Sequence, residues 1–518
     1  MGKLRANSEI ISDKSKNPVT TSTYIKHGNQ WLDEALENMN NYVTPEMFKH
    51  SEGEDISDML SSTTKIVNLE GGTYTVSNDL NCRCSGIING KIEINNTGNG
   101  IVFENSLNLI FNNLKIESLV NYESATSFKY NLIYLKACKN IVVKDCNFSK
   151  SDMGILFADC EDFVVINSTF SDSKAGAFTL TTDFDNDNST GCKNGIVKNN
   201  RFFNGYEGIK CSYYSENITI EANDCYNNIR DGIDVAGFRF VNMSIKDNNI
   251  YDNVENGIEF KCILGTGGSS GRPPKSKITS EFYCNIISDN KISGEQSKNS
   301  GITIQNDLEI EKFSVVINNN DISGSYKRGI RTSLSAVSNK AIVKNNFIHD
   351  LTSYQARGIT SIVSYTDIID NIIVTNSGGP CIELEDQLST QEYGKTFVSG
   401  NMCDAGNHIC IQTGVNFTNS TIINNELKND GTQYPIYRGS GKFFNNYLKD
   451  VFLTEITPYP MTEDSVHYRV SEGMVVRFAN PTSAGAAGII ADKNYQINSG
   501  NSGLPGHLFY YGKIESAN

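Results

Sequence analysis

One short phrase returns along this chain and limits what it can fold into: a charged or polar residue, then Gly, Ile, a polar residue and an apolar one. It stands as YEGIKC at 206–211, RDGIDV at 230–235, ENGIEF at 255–260, NSGITI at 299–304, KRGIRT at 327–332 and ARGITS at 356–361. PCIELE at 380–385 is a degenerate copy. The glycines at 208, 232 and 257 lie 24 and 25 residues apart, and those at 301, 329 and 358 lie 28 and 29 apart. A second phrase follows each, β-branched or aromatic residues running into paired asparagines, as in SIKDNNIYD, VVINNNDIS, AIVKNNFIH and TIINNELKN. A period of this size signals stacked units, none of which can bury its apolar face alone.

Residue type decides which stack. The inward positions are Ile, Val and Phe, not the fixed leucines of a leucine-rich repeat, and no helical period lies between the short runs. Strands of four or five residues broken by Asn and Gly predict an all-β chain, a parallel β-helix with about three strands per turn. Asparagine suits the bends because it tolerates left-handed backbone angles and hydrogen-bonds locally. Coils are recognisable from about Gly86 to Asp450. Residues 1–41 read as a head or neck, with Trp31, Leu32, Ala35, Leu36 and Met39 on one face of a short helix that either caps the solenoid or meets its own copies. Residues 42–452 form the β-helix and 453–518 a small C-terminal β module.

Composition excludes several functions. A formal net charge of −14 opposes any general role on nucleic acid or an anionic membrane, since phosphate binding needs a basic face. The N-terminus lacks the apolar run of a signal peptide, and no stretch approaches a membrane span. Thirteen cysteines without C-x-x-C spacing or a His–Cys cluster predict buried thiols, with no metal and no cofactor. The six histidines are isolated, and neither a Walker loop nor G-x-S-x-G is present.

In a strand, successive side chains point to opposite faces. If the isoleucine of each phrase points inward, the next residue points outward, giving a column of Lys210, Asp234, Glu259, Thr303, Arg331, Thr360 and Glu383. Rungs lie about 4.8 Å apart, so Asp234 and Glu259 stand side by side. Adjacent acids repel, and such a pair holds one proton at raised pKa, which general acid catalysis requires. The alternative is a solvated face whose opposite charges offset each other. Glu207 and Asp231, one residue before their glycines, form a second acidic pair, or merely shape the bend. Arg328 and Arg357 take that slot higher up and with Arg331 make a basic patch fit for an acidic sugar. Tyr213 and Tyr214 are candidates to stack on a sugar ring. The run from Asp183 to Asp187 resembles the start of a calcium loop but lacks its glycine and closing glutamate. The insertion at 263–277, Gly- and Ser-rich, leaves the coil just after Glu259.

These pieces together carry a resemblance. The segment leading into YVTPEMF, the strand GGTYTVS, the long Asn-rich solenoid, and FANPTSAGAAGII followed by PGHLFYYGKIESAN are similar to the tailspike depolymerases of bacteriophages. Motif-level likeness is confined to about residues 42–80 and 455–518, and KHSEGEDISDML replaces the usual Gly-Asp-Gly continuation. The resemblance implies a right-handed β-helix, a homotrimer on a virion tail, attachment through another tail protein, and action on a bacterial surface polysaccharide. It transfers no catalytic residue, because these proteins share no catalytic motif. Three functions stay open: a glycoside hydrolase using Asp234 and Glu259, with Glu207 and Asp231 in reserve; a lyase using Lys210 and the arginines; and a binding-only tail protein. Lys210, Tyr213, Arg328, Arg331, Arg357 and Glu383 are expected to contact substrate.

Overall fold

The computed structural model describes residues 42–449, apart from segments of which the longest are 121–129, 263–280 and 386–395, together with strands Tyr468–Val470 and Ile489–Ile490. The chain winds as a parallel β-helix with three sheets. The first runs through Met153–Ala158, Gly176–Thr181, the start of Glu207–Glu221, Ile233–Val241, Ile258–Cys262, Ser300–Asn306, Arg328–Leu334, Arg357–Ile362 and Ile382–Glu385. The long strand Glu207–Glu221 bends from this sheet into the second, where its residues 215–221 pair with Cys192–Lys198. The third sheet stacks Arg201–Phe203, Asp224–Tyr226, Asn249–Tyr251 and Lys291–Ser293.

Inward residues make one continuous core of Ile, Val, Leu, Phe and Cys. Like lies on like: Phe148, Phe170 and Phe202 stack at 4.9 and 4.8 Å with nearly parallel rings, an arrangement that favours offset packing of large apolar surfaces. All thirteen cysteines are free and all but Cys284 are buried, as their spacing predicts.

The paired asparagines divide the work of the bend. The first takes a left-handed conformation, as at Asn199, Asn319, Asn345 and Asn424 (φ 55, 59, 54 and 57°). The second turns inward and stacks. From Asn200 through Asn223, Asn248, Asn290, Asn320, Asn346, Asn371, Asn401 and Asn425 to Asn446, each Nδ2 donates to the Oδ1 of the asparagine one coil up at 2.8–3.0 Å. The glycine of each repeated phrase has a different cause, close approach of rungs. A Cβ on Gly232 would meet the Gly257 carbonyl oxygen at 2.8 Å and the Ile250 Cγ2 at 2.6 Å.

The coils begin before Gly86. Val67 pairs with Ile87, and Thr73–Val76 pairs with the end of Gly86–Ile94. That first turn lacks both repeated phrases, which hides it in the sequence. Below it, a short helix, Ser57–Ser62, sets Met59 and Leu60 with Ile56 against the core. The amphipathic helix expected over 29–42 lies outside the described residues, as does most of 453–518. The two strands described there continue the third sheet above Asn446–Lys449.

Candidate active site

The expected column stands in register: Lys210, Asp234, Glu259, Thr303, Arg331, Thr360 and Glu383 occupy successive rungs of the first sheet. Ser300, Arg328 and Arg357 are likewise aligned in the slot before the glycines. A solvated face is not what forms. Glu207 and Asp231 are fully buried, Asp234 is 1% exposed and Glu259 9%. These side chains point away from the apolar core, yet the cations of neighbouring rungs lie over them and exclude water. Glu207 and Asp231, which flank the bend, are thus also part of a buried charge cluster.

Arg230, Lys210 and Lys261 form that cover. Lys210 Nζ bridges Glu207 and, at 3.1 Å, Asp234 Oδ2. Lys261 Nζ pairs with Glu259 and lies 3.9 Å from Asp234 Oδ1. The Arg230 guanidinium spans Glu207 Oε1 at 2.8 Å, Glu255 Oε2 at 3.2 Å, Asp231 Oδ2 at 3.6 Å and Glu259 Oε2 at 3.8 Å. From the next rung, the Asn256 backbone N–H and Nδ2 both donate to Asp231 Oδ1, at 3.0 and 2.8 Å. Asp231 Oδ2 and Asp234 Oδ1 are buried without a hydrogen-bond donor.

Among the described residues, four buried carboxyls thus face three cations, with Glu255 at the rim. The odd charge falls unevenly. Burial, then Glu259 and Asp234, raise the Asp231 carboxyl well above the usual range. Burial and Asp234 also raise Glu259 and Glu207, against the pull of their cations. Burial works on Asp234 in the same direction, but Lys210, Lys261 and Arg230 outweigh it and hold this carboxyl below its ordinary value. One carboxyl pushed below its ordinary pKa beside carboxyls pushed above theirs is the arrangement by which acid and base roles separate. Asp231, Asp234 and Glu259 bring oxygens within 4.8 Å of one another. The three cations compete with any metal ion for those oxygens.

Higher on the same sheet, Arg357 pairs with Glu383, and Arg328 lies 3.7 Å from Glu385 Oε2. The neutral rung between the clusters is tied together: Ser300 N–H and the Thr303 hydroxyl donate to Asn256 Oδ1 at 3.2 and 3.1 Å. Tyr214 is 3% exposed and cannot stack on a sugar. The strand's register shifts between Tyr213 and Tyr214, where Tyr213 adopts φ 69°, so the in-and-out alternation restarts. Tyr213 is half-buried and stacks on Phe238 at 6.1 Å. Asp183 is buried and pairs with Lys136 at 3.3 Å, while the rest of the calcium-like run and the insertion at 263–277 lie outside the described residues.

Arg230, Lys261, Glu255 and Asn256 were not singled out by sequence reasoning. Lys261 was within reach of it, because it stands two residues after Glu259 and period two puts both on one face.

Residues 132–262 match the family model described as a right handed beta helix region, which assigns the hand of the coil. No curated protein matches the chain. Among solved structures, it is similar to the Dettilon tailspike protein at 13% identity, covering 69% of this chain and 68% of that one (TM-score 0.42). It is also similar to a hyperthermoactive exopolygalacturonase from Thermotoga maritima at 12%, covering 70% and 93% (TM-score 0.41). The third is a periplasmic alginate epimerase, AlgG, at 11%, covering 79% and 82% (TM-score 0.40).

Proposed function

We propose that this protein is a tailspike depolymerase, an endo-glycoside hydrolase that cuts a bacterial capsular or O-antigen polysaccharide with the carboxyls of adjacent rungs. The observation that carries this reading is the trio Asp231, Asp234 and Glu259, packed together with their pKa values pushed in opposite directions. Glu259, the most exposed of the three, donates its proton to the glycosidic oxygen. Asp234, whose pKa Lys210 and Lys261 hold down, attacks the anomeric carbon once the polymer displaces the side chains that cover it. The raised pKa of Asp231, behind them, works against a second negative charge in the trio. Oxygens this close match the separation of about 5 Å used by retaining enzymes, not the wider gap that admits a water. The sequence resemblance adds the setting, a homotrimer on a virion tail, joined at its N-terminus to another tail protein and acting at the host surface.

A polysaccharide lyase is the second reading, favoured by one feature: Lys210, Arg230 and Lys261 are more exposed than the acids they cover. Such cations would neutralise a uronate beside the cut. Incubation of the purified protein with a panel of capsules and O-antigens separates the readings. Shortening with new reducing ends and no ultraviolet-absorbing sugar supports the hydrolase. Shortening with an unsaturated, absorbing end replaces it by the lyase, and binding without shortening by a receptor-binding protein.

A further inference from the structure

Two rungs above Glu259 the first sheet changes sign. Arg328 and Arg357 stack directly on one another in the slot before the glycine, and Arg331 occupies the outward column beside Arg328. Like charges on adjacent rungs repel, so a plain structural face would avoid this stack. Two carboxylates answer the three guanidiniums: Glu383 takes Arg357 and Glu385 lies near Arg328. Arg331 forms no ion pair with any described residue, and its buried Nε has no hydrogen-bond acceptor; nor has the Nε of Arg328. A surplus of positive charge with unmet buried donors, on a chain of net charge −14, is an anion site in want of its anion.

We propose that Arg331, flanked by Arg328 and Arg357, holds the carboxylate of an acidic sugar in the polymer lying along the first sheet. The planar guanidinium fork matches a carboxylate with two parallel N–H···O bonds, which a lysine cannot copy. The site is three rung steps from Asp234, roughly 14 Å at the spacing of a parallel sheet. The acid group therefore sits on a sugar bound beside the cut and not on the sugar being cut, and the substrate is a polysaccharide whose repeat carries a carboxylated residue. The neutral rung of Ser300 and Thr303, bonded to Asn256 of the rung below, keeps the two charged clusters apart.

This inference rests on reading the first sheet as the polymer face, but not on cleavage, so binding is the quantity to measure. A panel of purified capsules and O-antigens, with and without uronates, is tested by affinity gel electrophoresis against the Glu259→Gln protein. Each acidic polymer that binds is tested again after chemical reduction of its carboxyls to alcohols. Retardation by carboxylated polymers is expected, with a loss of about tenfold or more on carboxyl reduction. Arg331→Ala should show the same loss while keeping its melting temperature, and Arg331→Lys should recover only part of it. Unchanged affinity after carboxyl reduction, unchanged binding by Arg331→Ala, or no binding by any acidic polymer overturns the proposal. Cleavage of a purely neutral polymer by the wild-type protein sinks this proposal alone. Arginine-dependent binding of a polymer that the wild-type protein does not cleave sinks the hydrolase alone.

Discussion

The corner between the second and third sheets and the charged column of the first are laid out by the same repeat, yet they use it in opposite ways. At the corner one residue type returns from Asn200 to Asn446, neutral, with each amide bonded to the next. In the column the residue changes at every rung, Lys210, Asp234, Glu259, Thr303, Arg331, and buried atoms such as Asp234 Oδ1 are left without a donor. A solenoid tolerates a different residue at each rung only where neighbouring rungs need not match. Uniform rungs hold the coils together, and the rungs that vary, at a cost in charge burial, are where a specific ligand is met.

That contrast can be broken at either side. The largest expected effect on stability comes from Lys210→Met, which, among the described residues, leaves buried Asp234 with only the more distant Lys261 and Glu207 with only Arg230. Removing one partner of a buried pair costs about 3–5 kcal/mol, to be read from thermal or denaturant unfolding. Asn290→Ala should cost roughly 2–3 kcal/mol and leave polymer binding unchanged. It removes the acceptor of the Asn248 backbone N–H and Nδ2 and the donor to the Ile245 carbonyl.

Asp231→Asn sharpens the comparison through pH. The Asp231 carboxyl titrates well above its unfolded value, so the folded state binds the proton more tightly. Its contribution is complete below an unfolded pKa of about 3.9 and fades as pH rises through the folded pKa, by about 1.4 kcal/mol per pKa unit of elevation. Asparagine keeps an acceptor for Asn256 and never ionises, so the variant should gain stability over the wild type as pH rises from 4. A difference in melting temperature between the two proteins that is the same at pH 4 and pH 8 would show that folding does not raise the Asp231 pKa. The smallest effect belongs to Glu255→Ala at the rim, under about 1 kcal/mol because its pair with Arg230 is partly exposed.

Much of this was legible in the sequence. Period two within a strand and the recurring Gly-Ile step placed Asp234 beside Glu259 and Arg328 under Arg357, because parallel coils of similar length align their rungs. Burial was not legible. Alternation says only that Asp234 leaves the core, whereas its exclusion from water depends on how far the Lys210, Arg230 and Lys261 side chains reach across rungs. Tyr214 was misplaced for a local reason, the left-handed Tyr213 that resets the alternation. The β-helix was placed from residue 42, but its coils were recognisable only from Gly86, because VNLEGGTYTV pairs like a coil without either repeated phrase.

The most direct test of the carboxyl pair is reducing-end release by Asp234→Asn and Glu259→Gln on the polymer that the wild type shortens, with melting temperatures measured alongside. Loss of the acid or of its ionised partner should slow release by at least about a hundredfold, with both variants still folded. A folded Asp234→Asn or Glu259→Gln protein that releases ends at the wild-type rate would place the chemistry elsewhere and leave the trio a structural charge cluster.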